Sequence, residues 1–345
     1  MDKKLFGFSL SAPFPRYALR ATRDDRGKII PAHSECFAEQ NVSKGAVLFI
    51  CLIFSFNVSK GSNYSIVEPD FDISMQTSRF QHVIDSPQNQ KDLDLSGKQL
   101  MDFFRALYEK NKPSNLTASK ELKIPKIIHQ IWIGASVPEE FKRFQDSWQM
   151  HHPDWEYKLW TQHDISSLHL YNEDLVHQSR NPGEISDLMR YEILYRYGGV
   201  YLDFDFECLQ SLEPLHYLYD FYIGIQPLDS EIVQLGIGII GSIPGHPLLK
   251  ECIERVKHTW KTIGNKPTAR TGPIYCTKVF YAVENNIDTC DIAFPASYFY
   301  PLGCCEYGAA KTKWIEAGAF AVHHWAKSWL YPSFRRPEFQ TIVNY

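Results

Sequence analysis

The sequence predicts an α/β protein built around a largely parallel sheet, on two observations. Residues 124–160 read as strand, helix and strand, the unit from which parallel sheets are assembled. Further on, a capped helix runs through Gly198-Gly199 into an apolar, β-branched and aromatic strand over 200–206 that ends among acids. The composition agrees with a folded chain. There are 345 residues, 44% hydrophobic and 22% charged, enough for one large domain plus an extension. A net charge of −4 carries no nucleic-acid footprint, so no nucleic-acid partner is expected.

Residues 1–90 lack a clear pattern apart from one apolar run, 45–58, between Lys44 and Lys60. The run is shorter than the ~20 residues that span a bilayer, and it starts too late for a signal peptide. Three readings stay open: a type II anchor, a signal-like segment behind a misassigned start, or a buried strand or helix. We favour membrane association through 45–58; localisation is otherwise unassigned. Ser96 caps a helix to Lys112 whose stripe is Leu100, Phe103, Phe104, Leu107 and Tyr108, and Pro113 ends it. Pro113-Ser114-Asn115 reads as a linker. The expected organisation is therefore 1–90 poorly patterned, 91–120 helix and linker, and 121–345 a single α/β domain.

Within that domain, 124–133 is an apolar strand followed by Gly134. Ser136 and Pro138 open a helix with Phe141, Phe144 and Trp148 on one side. His152-Pro153-Asp154 is a turn, and 155–160 alternates as a second strand. Asn181-Pro182-Gly183-Glu184 starts a helix, with Asn as cap and Pro at the first helical position. Asp187, Arg190 and Tyr191 share one of its faces; read in isolation, Asp187–Arg190 is a surface ion pair of small worth. Gly198 and Gly199 supply the positive φ that stops the helix. Beyond Glu207, residues 221–225 and 235–240 read as strands. His246-Pro247 and Gly272-Pro273 open helices, and 321–329 is a short strand breaking into a polar, aromatic loop.

In a strand over 200–206, Asp203, Asp205 and Glu207 point one way and Phe204 and Phe206 the other. Carboxylates gathered at the end of a buried strand repel one another and lose hydration; a shared cation removes both problems. Metal binding is therefore expected here, against the alternative of a solvated edge strand. The eight cysteines show no CxxC pair and no zinc spacing, so buried free thiols are the default. Adjacent Cys304-Cys305 leaves any disulfide pairing open. Four sequons, at Asn41, Asn57, Asn63 and Asn115, matter only in a secretory lumen.

Six motifs in this order, IPKIIHQIWIG, HPDWEYKLW, SDLMRYEILYRYGGVYLDFDFE, PGHPLL, TGP and HHWAKSW, resemble the glycosyltransferases with a sugar-binding DXD region. These are glycosyltransferase family 32 and its relatives, among them fungal initiating and inositol-phosphoceramide mannosyltransferases and, distantly, clostridial glucosylating toxin domains. The resemblance covers 124–329. It implies a GT-A fold, a Rossmann-like α/β/α sandwich, here with an extra N-terminal region. It implies a Mn²⁺ or Mg²⁺ ion and a nucleotide-sugar donor, a UDP- or GDP-hexose. Asp205 would bind the metal and Asp203 the metal or the donor. Asp187 and Arg190 would hold donor hydroxyls and a phosphate. Trp132 would stack on the nucleobase, with Ile131, Gly134 and Tyr201 lining the same pocket. His324 and Ser328 would reach the metal, Ser328 and Trp329 the leaving phosphate, and His323 would be structural, although the two histidines could be exchanged. Asp203, Asp205 and Arg190 form the expected catalytic set, and Glu207 stands aside. The stretch before PGHP, 234–242, departs from many relatives in lacking an Asn towards the donor sugar.

The implied activity is retaining hexosyl transfer to a glycan, lipid or protein hydroxyl. A toxin-like effector acting on a host protein is the alternative within the transferases. Outside them stand a glycoside hydrolase, whose paired acids sit ~5–9.5 Å apart and need no nucleotide, and a non-catalytic sugar-binding module.

Overall fold

The computed structural model describes residues 66–86, 93–134, 136–264, 266–306 and 311–327, and the backbone pairing of two short strands, β1 (Thr22–Arg23) and β2 (Ile29–Ile30). The apolar run 45–58 and the pair Ser328 and Trp329 lie outside the described residues. The chain divides into two compact units, Met1–Ser62 and Asn63–Tyr345. No helix among the described residues is long and apolar enough to cross a membrane.

The second unit opens with three helices, α1 (Phe71–Met75), α2 (Gln81–Asp85) and α3 (Gly97–Asn111). Ser96 caps α3 in both directions: its hydroxyl accepts from the Gln99 N–H, and the Gln99 side chain accepts from the Ser96 N–H. This reciprocal pair satisfies two of the orphan donors at the helix start. Leu100, Phe104, Leu107 and Tyr108 are buried as their spacing requires, each worth about 1.5–3 kcal/mol. They enter the same hydrophobic core as the sheet that follows.

That sheet has six strands. Chain order runs β3 (Ile127–Trp132), α4 (Lys142–His151), β4 (Glu156–Thr161), α5 (Ile165–Leu168), α6 (Glu173–Gln178), α7 (Pro182–Tyr197), β5 (Gly199–Leu202), β6 (Phe206–Cys208), α8 (Glu213–Leu218), β7 (Phe221–Ile225), β8 (Leu235–Ser242), α9 (Pro247–Thr262), α10 (Pro267–Arg270), α11 (Pro273–Val283), β9 (Asp291–Phe294), α12 (Lys311–Glu316) and β10 (Ala321–His323). The spatial order is β4-β3-β5-β8-β7-β9, and β8 alone runs against its neighbours. All eight residues of β8 are buried, as a strand covered on both faces must be. The expected Rossmann-like α/β sandwich is what the chain forms.

One element differs from expectation. The strand over 200–206 stops at Leu202, and Asp203 to Asp205 form a turn, closed by the Phe206 N–H on the Asp203 carbonyl at 3.2 Å. Phe206 then starts β6, which leaves the central sheet and pairs antiparallel with β10. The turn lifts the acids out of the β5–β8 pairing to where Arg190 and Tyr201 meet Asp203, and His323 and the Ala326 N–H meet Asp205, partners a buried carboxylate requires. The three acids therefore do not share one alternating face.

Candidate active site

β3 and β5 are parallel neighbours, so both end at one sheet edge, and antiparallel β8 begins there. α7 feeds directly into β5 through Gly198 and Gly199, at φ +61° and +92°. A Cβ on Gly199 would lie 2.5 Å from the Ile127 carbonyl oxygen, so only glycine fits this reversal. The reversal sends α7 back along β5 and carries its first half to the same edge. Asn181 caps that half through the N–H groups of Gly183 and Glu184. A cleft of about 340 Å³ opens there, lined among others by Trp132, Asp187, Arg190, Asp203, Asp205 and His323. Crevices outside the carboxyl ends of strands are where open α/β sheets bind ligands.

Arg190 organises the acids. Its guanidinium reaches Asp187 Oδ1 at 3.1 Å and Asp203 Oδ1 at 3.4 Å. It donates to the Ile237 carbonyl at 2.7 Å and the Ser186 carbonyl at 3.2 Å, and it lies 4.3 Å above the Tyr201 ring. These contacts use most of its five donors. The surface-pair reading therefore fails, since both side chains of Asp187–Arg190 are almost fully buried. Asp187 also accepts from the Thr271 hydroxyl at 2.8 Å. Burial pushes its carboxyl up to about 6, with Arg190 and Thr271 pulling the other way. Asp203 accepts from the Tyr201 hydroxyl at 2.5 Å. Burial raises it, against the pull of Arg190, and the charge of Asp205 raises it further.

Asp205 sits 3.1 Å from His323 Nε2 and accepts from the Ala326 N–H at 2.7 Å. Burial opposes its ionisation, but His323 and that N–H outweigh burial and hold its carboxyl low. Asp203, Asp205 and His323 each offer one donor atom within 4.8 Å of the other two. His323 Nδ1 is buried with no protein partner. Two carboxylates and an imidazole form a donor set that fits a divalent cation.

The histidine at this cluster is His323, where the resemblance pointed to His324. His324 turns instead to Glu207 at 3.0 Å and stacks on Phe144 at 4.5 Å. Glu207, also paired with Lys311, is drawn down to about 2; burial resists, but the hydrogen bonds from His324 and Lys311 prevail. The difference arises from register: β10 places His323 opposite Phe206, the residue after Asp205. Ile131, Trp132, Gly134 and Tyr201 all line the cleft. Trp132 lies edge-on to Phe204 at 5.1 Å, and its indole N–H is buried without a partner. Sequence reasoning missed Thr271, Gln226, Gln234, Tyr300 and Trp325, which contact or line the same space. The TGP and HHWAKSW blocks held a signal for Thr271 and Trp325; Gln226 and Tyr300 carry none that is local.

Residues 138–222 match the family described as glycosyltransferase sugar-binding region containing DXD motif, and Asp187, Arg190, Asp203 and Asp205 fall inside the match. Over 166 residues the chain is 31% identical to mannosyl phosphorylinositol ceramide synthase SUR1 of Saccharomyces cerevisiae, covering 46% of this chain and 42% of that protein. Over 150 residues it is 35% identical to inositol phosphoceramide mannosyltransferase 2 of Schizosaccharomyces pombe, covering 42% and 41%. An uncharacterised glycosyltransferase of Acanthamoeba polyphaga mimivirus is 24% identical over 219 residues, covering 60% of this chain and 84% of that one. The chain thus spans about two fifths of the length of the two yeast relatives.

Proposed function

We propose that the protein transfers a hexose, mannose in the first instance, from a nucleoside diphosphate donor to a hydroxyl of an inositol-containing lipid head group. The observation that carries this is the cluster of Asp203, Asp205 and His323 beside Arg190, lining a strand-end cleft, with both aspartates inside the match to the DXD family. The two yeast relatives, named for inositol phosphoceramide chemistry, supply the sugar and the acceptor class.

A divalent cation held by Asp203, Asp205 and His323 would supply positive charge for the departing diphosphate. Arg190 fixes Asp187 and Asp203 relative to each other, so both carboxylates meet the donor already oriented. Trp132 closes the end of the cleft where an aromatic face suits a nucleobase. The carboxylates lining the cleft are Asp187, Asp203 and Asp205. Among the described residues each is engaged in an ion pair or a hydrogen bond, which favours front-face attack over a double displacement. The acceptor hydroxyl oxygen therefore attacks the anomeric carbon on the face the diphosphate leaves. The C–O bond to the diphosphate breaks, the hydroxyl proton passes to a leaving-phosphate oxygen, and configuration is retained. A lipid acceptor would bring the chain to a membrane surface.

The test is a panel of GDP- and UDP-hexoses with Mn²⁺, Mg²⁺ or EDTA, with and without an inositol phosphoceramide acceptor. Metal-dependent turnover of one donor, lost in Asp203→Ala/Asp205→Ala, supports the proposal. Wild-type rates in the double variant, or turnover untouched by EDTA, refute it. Transfer to a protein but never to lipid overturns the acceptor.

A further inference from the structure

A second cluster of donors lies outside the cleft. Cys304 and Cys305 are adjacent in the chain, and their sulfur atoms stand 3.5 Å apart. The Asp229 carboxylate meets both, accepting the Cys304 N–H on Oδ1 at 3.1 Å and the Cys305 N–H on Oδ2 at 3.0 Å. One donor atom from each of Asp229, Cys304 and Cys305 lies within 4.8 Å of the other two. Both cysteines are free; Cys305 is exposed and Cys304 half-buried.

We infer that Asp229, Cys304 and Cys305 form a site for a thiophilic divalent cation of the Zn²⁺ class, separate from the site at Asp203.

Three features support this. The first is spacing. A cation about 2.3 Å from each of two sulfurs that are 3.5 Å apart subtends roughly 100° between them, near the tetrahedral value. The thiols already stand as a two-toothed clamp. The second is the alternative chemistry. Adjacent α-carbons across a trans peptide are 3.8 Å apart, below the 4.4–6.8 Å that disulfides span. A direct bond between these sulfurs would require the backbone to distort, whereas a bridging cation would not. The third is preorganisation. The paired N–H groups fix the carboxylate over the 304–305 peptide, so its remaining lone pairs need little ordering to complete a third ligand, and water fills the fourth position. Binding releases one proton from each thiol to solvent as the thiolate–metal bonds form.

Occupation would join two cleft-bordering segments. Asp229 lies just beyond Gln226 of the cleft wall, and Leu302, two residues before Cys304, accepts the Trp325 indole N–H at 2.8 Å. Trp325 in turn packs on His323 at 4.3 Å.

The experiment titrates the reduced full-length protein with Cd²⁺ alone and reads thiolate-to-metal charge-transfer absorption. The carboxylate–imidazole cluster in the cleft cannot produce this band, so the result is independent of the transferase proposal. The expected result is one thiolate-bound Cd²⁺ per chain, displaced by Zn²⁺, lost in Cys304→Ser/Cys305→Ser, and bound at least about tenfold more weakly by Cys305→Ser alone. Cys305 is exposed, so that single variant tests the site even if the double variant folds poorly. An undiminished band in Cys305→Ser, or no band in the wild type, overturns the proposal.

Discussion

Gly238→Ala tests the architecture of the candidate metal cluster without removing a ligand. The Gly238 carbonyl accepts the Asp203 N–H at 2.8 Å, fixing the turn that carries Asp203 and Asp205. A Cβ at position 238 would lie 2.8 Å from Asp203 Oδ2 and 2.8 Å from Phe206 Cε2, where ordinary contact begins at 3.4 Å. Relief requires a displacement of 3.4 − 2.8 = 0.6 Å, borne by the carboxylate or by the ring that stacks on His323. Productive geometry tolerates about 0.5 Å, and a shift of about 1 Å costs on the order of 10²-fold. We therefore expect kcat/KM for donor hydrolysis to fall about 10- to 100-fold and the half-activating Mn²⁺ concentration to rise. Overpacking should cost about 1–3 kcal/mol, a few degrees in Tm. Assays well below that Tm separate the two effects. A variant with wild-type kcat/KM and a wild-type Mn²⁺ midpoint would show that the Gly238 contact does not position Asp203 for donor or metal binding.

Exchanging the two histidines separates them. His323→Ala should raise the half-activating Mn²⁺ concentration at least about tenfold, while His324→Ala should leave it unchanged and lower stability by about 1 kcal/mol through the lost Glu207 contact; a reversed pattern would return the metal to His324. The Asp187 carboxyl titrates at about 6 in the fold, above its ordinary 3.8. Its contribution to stability is thus full below 3.8 and lost as pH rises through 6. If its ionised form binds the donor, activity falls as pH drops through about 6. Thr271→Val removes a hydrogen bond to that ionised form and should move the acid limb of kcat/KM up by about half a unit to one unit; a fixed limb would remove Asp187 from donor binding. Ser96→Ala should cost about 1 kcal/mol in thermal or urea unfolding with no change in Mn²⁺ dependence.

What was legible in the sequence was local. The α7 start follows from Asn181 and Pro182, its stop from Gly198 and Gly199, and the α3 cap from Ser96 and Gln99, because each signal and its effect lie within one turn. Trp132, Asp187, Arg190, Asp203 and Asp205 came together because ordered motifs encode the ends of neighbouring elements. What was not legible depends on pairing between distant segments. The strand break at Asp203 is set by where β8 and β6 lie. The choice between His323 and His324 is a one-residue register between β10 and β6, and such a slip reverses which side chain faces the site. Burial of the Asp187–Arg190 pair depends on Thr271 and Ile237, some fifty to eighty positions away.

The β6–β10 ribbon also bears on how the protein is made. Asp205 and His323 are 118 positions apart, and the ribbon between them forms only after the whole central sheet has been synthesised. A growing chain thus exposes its paired aspartates well before the imidazole that completes their cluster. A chain truncated before residue 321 would keep the two aspartates and the residues 138–222 that match the DXD family, but would lack the third donor of the candidate cluster. If the cluster binds a cation as proposed, loading would be strongest in chains that have passed β10.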